Sequence, residues 1–148
     1  MKALLQRVSR ASVEVDTERV GSIDTGLLVL LGLQRGDSLV NGKHLLEKLL
    51  DYRVFPDAQE RMNLSVRDIS GGVLLVSQFT LAASTRKGLR PSFSAAMPPA
   101  EAEILYLQLL GLLRELHPVV SAGIFGADMQ VSLTNDGPVT FLLEVAPD

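Results

Sequence analysis

Apolar residues recur along this chain with two periods. Val13 and Val15 alternate with Ser12, Glu14 and Asp16, the period of two that marks a half-buried strand. Residues 2–8 and 11–16 read as strands, with Ser9-Arg10 between them too short for anything but a tight connection or a bulge. Thr17-Glu18 turns the chain into a short strand at Val20 to Ile23. Asp24-Thr25-Gly26 turns it again. Leu27 to Leu33 is apolar apart from Gly32, so it should be covered on both faces. These segments predict a meander. Gly36-Asp37-Ser38 then breaks the pattern, and Asp37 or Ser38 can cap a helix. Leu39, Leu45, Leu46, Leu49 and Leu50 recur at helical spacing as far as Tyr52, which places a helix there.

Arg53-Val54-Phe55 reads as a short strand, and residues 57–71 as loops around a short extended piece. Val73 to Phe79 is a strand with a wholly apolar first half, suited to a sheet centre. Residues 82–93 form a loop. A second helix spans about 99–116, with a stripe of Ile104, Leu105, Leu109, Leu112, Leu113 and Leu116. Pro99 is tolerated in its first turn and His117-Pro118 ends it. Val119 to Phe125, Met129 to Leu133 and Val139 to Val145 are three further strands. Two main helices among many short strands predict an α/β fold: a single domain, 1–148, with a curled, barrel-like mixed sheet.

Composition narrows the chemistry. A length of 148 residues suits one domain with a proper core. The net charge of −3 supplies no global positive field, so any RNA contact has to use a local patch. The absence of cysteine removes disulfides, thiolate zinc sites and cysteine nucleophiles. The N-terminal segment meets charge too early for a signal peptide. No apolar run reaches the roughly 20 residues of a membrane helix.

Two stretches carry candidate chemistry. Asn135-Asp136-Gly137-Pro138-Val139-Thr140 joins two alternating runs. Asp-Gly and Gly-Pro are common turn dipeptides, so one reading is a hairpin. The other is a stiff projection, because Gly137 opens φ and Pro138 fixes its own. Ser77-Gln78-Phe79-Thr80-Leu81 arrives at the end of the buried strand, where sites tend to be built. Hydroxyls are available, but the only histidines, His44 and His117, lie on or beside predicted helices in polar surroundings. His44 reads as a solvated surface residue and His117 as a helix end. No G-x-S-x-G elbow, H-E-x-x-H, P-loop or dinucleotide fingerprint occurs. An enzyme built from this chain must therefore rely on backbone donors, hydroxyls and shape, or borrow a group from its substrate.

The chain resembles the D-aminoacyl-tRNA deacylases. The resemblance is carried by Gln6-Arg7-Val8 with Ala11-Ser12-Val13, by Ser77-Gln78-Phe79-Thr80-Leu81, by Arg90-Pro91-Ser92-Phe93 and by Asn135 to Thr140, in order and without large gaps from Met1 to about Val145. One small departure is Gly126, where many members carry alanine. The resemblance implies a cytoplasmic homodimer that hydrolyses the ester between a D-amino acid, or glycine, and the 3′-terminal adenosine of tRNA. No cofactor or metal is implied. It implies a cis Gly137-Pro138 bond that enters the partner's pocket, where its carbonyls exclude an L side chain, with Arg7 holding the segment and Asn135 and Thr140 flanking it. It assigns Ser77, Gln78, Phe79 and Thr80 to the ester, and Phe79, Ala102, Phe125 and Met129 to the adenosine pocket. The family pattern has also been read with Thr80 as a nucleophile. Since no base is visible to activate its hydroxyl, the reading preferred here is an oxyanion donor through its backbone N–H or hydroxyl, with the substrate's ribose 2′-hydroxyl assisting. The choice between side chain and backbone stays open. For the four pocket residues, ordinary core packing is the competing reading. For Arg86, Lys87 and Arg90 the choice lies between acceptor-stem phosphates and a solvated loop.

Overall fold

The computed structural model describes residues 1–147. Its sheet is organised on β1 (Lys2–Val15), a continuous strand of 14 residues. β2 (Glu18–Ile23) and β3 (Gly26–Gly32) both pair antiparallel with β1, at Ala11 opposite Ile23 and Val8 opposite Gly26. They therefore lie end to end along one edge of β1. The expected meander is wrong: Asp24-Thr25 is a jog between two collinear strands, because β1 is long enough to serve both.

β8 (Gln130–Glu144) takes the other edge of β1, again antiparallel. The two strands expected at 129–133 and 139–145 are one. Asn135 to Pro138 is thus no hairpin turn, since the chain leaves it in the direction it entered. Val8 pairs with Asn135 and Gln6 with Thr140, so four residues of β8 stand opposite the single Arg7. Asp136 to Pro138 are exposed and Val139 is buried in the larger core. On the β1 side, Val8 faces Asn135 and Arg10 faces Thr134. Ser9 is an extra residue, the bulge alternative for Ser9-Arg10. One extra residue swaps the faces of a strand. Accordingly Ala3 and Leu5 enter the larger core while Val8, Ala11 and Val13 enter the smaller one.

β6 (Gly72–Ser77) runs parallel to β3, and β7 (Val120–Ala122) parallel to β6. β4 (Phe55–Pro56) and β5 (Met62–Leu64) form a separate small pair. The Ser22 N–H donates to Ser121 Oγ at 3.0 Å, so the edges at β2 and β7 meet and the sheet curls towards a barrel. Its central strands, β3 and β6, are covered on both faces. Leu27, Val29, Leu31, Val73 and Leu75 pack under the helices; Leu28, Leu74 and Val76 point into the barrel. The β6 strand starts at Gly72, earlier than expected, and stops at Ser77. β7 ends before Phe125, and the strand expected at 53–55 lies at Phe55–Pro56.

α1 (Leu39–Asp51) is capped by Ser38, whose N–H bonds to Asn41 Oδ1 at 2.7 Å. Leu45, Leu46, Leu49 and Leu50 are fully buried, about 1.5–3 kcal/mol each. Leu39 is exposed, contrary to the expected stripe. The contact with α2 (Pro99–Leu116) begins one turn later at Gly42, where an added Cβ would lie 2.5 Å from Leu109. On α2 the buried residues are Ala102, Leu105, Tyr106, Leu109, Leu110 and Leu113. Ile104 faces out, so the true stripe is rotated from the expected one.

His44 is exposed, but His117 is buried, correcting its expected polar surroundings. Its Nε2 lies 2.7 Å from the Gly71 carbonyl, which makes Nε2–H the donor. The Met1 α-ammonium is also enclosed. It bonds to Asp37 Oδ1 at 2.9 Å, Val145 O at 2.9 Å and Gln34 Oε1 at 3.1 Å.

Candidate active site

β6 ends at Ser77, opposite Leu31 on β3. The Gln78 N–H still donates to Leu31 O at 2.8 Å. The chain then folds into one 3₁₀ turn, Phe79–Ala82, where a strand through Phe79 was expected. Gly32 makes room: a Cβ there would meet Leu81 Cβ at 2.8 Å. The turn closes with Leu81 N–H on Gln78 O and Ala83 N–H on Thr80 O, both at 3.1 Å. The start of such a turn leaves N–H groups without an intrahelical acceptor. Here they are those of Phe79 and Thr80, which have no backbone partner outside the turn among the described residues. The Gln78 side-chain amide donates to Thr80 Oγ1.

This turn stands at the mouth of a cavity of about 630 Å³, within the usual range for small-molecule sites. Ser77, Gln78 and Phe79 line one side. Pro98, Pro99 and Ala102, at the start of α2, line another, and Phe125, Gly126, Ala127 and Met129 a third. Gly126 turns that last segment with φ +77°. Phe125 leans on Tyr106, ring centres 5.7 Å apart. Met129 fits because position 123 is glycine, where a Cβ would meet its sulfur at 2.6 Å. The lining is largely apolar, and among the described residues its ionisable member is Arg35. The cavity lining holds no histidine or carboxylate, and no cluster of three or more His, Asp or Glu capable of holding a metal ion occurs among the described residues.

The β8 bulge lies outside this cavity. Asp136, Gly137 and Pro138 are exposed, and the Gly137–Pro138 peptide is cis. Arg7 Nε donates to Asp136 O at 3.0 Å, while Nη1 donates to Val54 O at 2.8 Å. Asn135 Nδ2 spans the base of the bulge, donating to Arg7 O and Val139 O at 2.9 Å each. Thr140 Oγ1 sits at 3.4 Å from both Asn135 Oδ1 and Gln6 Nε2.

A family model described as D-Tyr-tRNA(Tyr) deacylase matches residues 4–144. The D-aminoacyl-tRNA deacylase of Stutzerimonas stutzeri (strain A1501) is 63% identical over 144 residues, covering 97% of this chain and 99% of that protein. That of Cellvibrio japonicus (strain Ueda107) is 59% identical over 145 residues, covering 98% and 99%.

The chain belongs to the D-aminoacyl-tRNA deacylase family.

Two solved structures share the fold of this deacylase. One, described as c-Myc DNA Unwinding Element Binding Protein, superposes with a TM-score of 0.94 at 43% identity over 99% of both chains. The other, a probable eukaryotic D-amino acid tRNA deacylase, gives 0.83 at 17% identity over 97% of this chain and 98% of that one, which speaks to fold alone. Members of the family are hydrolases.

The structure gathers Ser77, Gln78, Phe79, Ala102, Phe125 and Met129 around one cavity, with Thr80 in the turn at its mouth. Arg7, Asn135, Gly137, Pro138 and Thr140 form a second group at the bulge. Arg86, Lys87 and Arg90 are exposed on a loop whose base is clamped by Ser84 and Ser92. They do not line the cavity. Sequence reasoning missed Arg35, Ala96, Met97 and Pro98 on the cavity wall. It quoted Phe93 as part of a motif without giving it a role. The tandem prolines before α2 were the available signal.

Proposed function

We propose that this deacylase hydrolyses the ester linking a D-amino acid or glycine, including glycine mischarged on tRNA-Ala, to the 3′-terminal adenosine of tRNA. It works as a cytoplasmic homodimer. The observation that carries this reading is the Phe79 to Ala82 turn after Ser77 and Gln78, whose Phe79 and Thr80 N–H groups have no backbone partner among the described residues, at the mouth of an apolar cavity with no carboxylate or histidine in its lining. Water attacks the ester carbonyl carbon. The negative charge that develops on the carbonyl oxygen is stabilised by the N–H groups of Phe79 and Thr80. The ester C–O bond breaks, and the ribose 3′-oxygen leaves with a proton. The substrate's own 2′-hydroxyl assists that proton movement, which accounts for the missing side-chain base. Gln78 fixes the Thr80 hydroxyl. Phe79, Ala102, Phe125 and Met129 hold the adenosine.

Selection is by exclusion. D and L esters offer the same groups for attraction and differ only in direction, so a wall discriminates where a soft apolar pocket cannot. The Gly137-Pro138 segment supplies the wall from the partner subunit. Two features support this: Asp136 to Pro138 are exposed and do not line their own chain's cavity, and Arg7 and Asn135 brace the segment. Glycine passes because it has no side chain on the forbidden side. Arg86, Lys87 and Arg90 meet acceptor-stem phosphates.

The test is incubation of the protein with D-aminoacyl-tRNA, its L counterpart and glycyl-tRNA. Release of the D and glycyl forms with the L form intact is the expected result. Protection of all three without release would replace this reading with a non-catalytic binder of tRNA 3′ ends. The observation behind that second reading is the 43%-identical structure, whose description names nucleic-acid binding, to a DNA unwinding element, and no hydrolysis.

A further inference from the structure

Phe79 and Phe93 stand together at the cavity mouth, ring centres 5.1 Å apart and planes inclined by 44°. Within the single chain neither ring is covered: Phe79 is 62% exposed and Phe93 40%. Phe93 is not loose, however. Ser84 and Ser92 exchange two backbone hydrogen bonds at 2.8 and 3.0 Å just before it. Just after it, Arg35 Nε donates to Ser94 O and the Arg35 N–H to Ala95 O, both at 3.0 Å. Its own carbonyl accepts from the Ala96 N–H at 3.0 Å. An aromatic ring on so braced a backbone, yet uncovered, is preorganised for a flat partner, because little freedom remains to be lost on binding.

The size of the cavity and the charge beside it identify that partner. About 630 Å³ accommodates one ligand of drug-like size. A terminal adenosine with its aminoacyl group fills that space, so the next base must lie at the rim. The loop between Ser84 and Ser92 carries Arg86, Lys87 and Arg90, placed to meet the phosphates that follow. An aromatic platform beside a basic loop is the standard physical solution for single-stranded nucleic acid.

We propose that Phe93, backed by Phe79, stacks on the base of the nucleotide preceding the terminal adenosine. This inference rests on the editing reading above and adds a binding position at the rim of the same cavity, on its Phe93 side. It implies that the enzyme measures more of the 3′ end than its last residue.

Three D-tyrosyl esters test it: of adenosine alone, of the trinucleotide CCA, and of whole tRNA. Wild-type protein should hydrolyse all three. Phe93→Ala should raise KM for the CCA and tRNA esters about tenfold more than for the adenosine ester. Phe93→Trp, which keeps a stacking face, should restore wild-type KM for CCA. Equal changes on all three esters, or none, would overturn the proposal while leaving the editing reading intact. A change in sedimentation of Phe93→Ala would also overturn it, since the ring would then be buried by a second copy. If wild-type protein hydrolyses none of the esters, the editing reading fails first and this inference with it.

Discussion

Arg7 and Asp136 are joined by a hydrogen bond from guanidinium to main-chain carbonyl, 3.0 Å long, across 129 residues of sequence. The same guanidinium reaches Val54 O at 2.8 Å. Its contact with the Asp136 carboxylate is longer, 3.9 Å, and that carboxylate is mostly exposed. The carbonyl bond is therefore the one that positions the bulge. Charged hydrogen bonds of this kind contribute about 1.5–3 kcal/mol. Arg7→Met should free the segment and raise hydrolysis of L-aminoacyl-tRNA by about tenfold or more, with D activity less affected. Gly137→Ala should act the same way for a different reason. Gly137 has φ +138°, and a Cβ there would meet Val139 Cγ2 at 2.6 Å. The measurement is the D/L ratio of initial rates. An unchanged ratio in both variants would remove the wall from the mechanism.

A second constraint lies at the start of β1. Asp37 is buried and receives the Met1 ammonium, the Asn41 side-chain amide at 2.9 Å and the Gln34 N–H at 2.7 Å. It thus ties the chain start, the end of β3 and the first turn of α1 together. Removing one partner of a buried pair leaves the other charge uncompensated, at about 3–5 kcal/mol. Asp37→Ala should lower Tm by about 10 °C for a chain of this size, read by calorimetry. A shift under about 2 °C would show that water replaces the carboxylate.

Much of this fold is legible because its central strands are covered on both faces. The uninterrupted Leu27 to Leu31 run and the apolar start of β6 announced central strands. The phase of α2 was not legible. Leucines lie all round that helix, so Ile104 and Leu107 face water while Tyr106 and Leu110 are buried. Its packing against α1 at Gly42 and against the sheet through Tyr106 on Leu75 decides the phase. The continuity of β8 was hidden for a related reason. Asp-Gly-Pro reads locally as a turn, and only the long partner strand β1 shows that the chain resumes the same register edge. At the site, the end of a buried strand was visible, but the 3₁₀ turn that follows depends on room over Gly32. Arg35 was invisible because its partners, Ser94 and Ala95, are distant in sequence.

Tyr106 provides a test at alkaline pH. It is 1% exposed and donates to Leu75 O at 3.1 Å. Burial pushes its phenol up to about 12, with Arg114 opposing weakly. The folded value lies above the unfolded one, so the fold favours the neutral phenol. That contribution is complete below about pH 10 and is lost as pH rises towards about 12. The urea midpoint of wild-type protein should therefore fall across that window. Tyr106→Phe should flatten the fall. At neutral pH the same variant should cost only about 1 kcal/mol, because Leu75 O keeps the Gly123 N–H at 3.0 Å.

Thr80 separates a side-chain mechanism from a backbone one. Its hydroxyl accepts from the Gln78 amide, an arrangement that holds the oxygen and offers no base to deprotonate it. Its N–H, with that of Phe79, is a donor left free by the turn. Thr80→Ala keeps the N–H and should lower kcat for D-aminoacyl-tRNA by less than about tenfold. Replacing Thr80 by its α-hydroxy analogue keeps the side chain and exchanges the N–H for an oxygen. On the proposed mechanism that change removes an oxyanion donor, and it should lower kcat by about 10²–10³. Single-turnover rates on one tRNA preparation give both numbers. If the order is reversed, with the alanine variant inert and the backbone ester active, Thr80 is a nucleophile, and a covalent acyl intermediate should then be trapped on its hydroxyl.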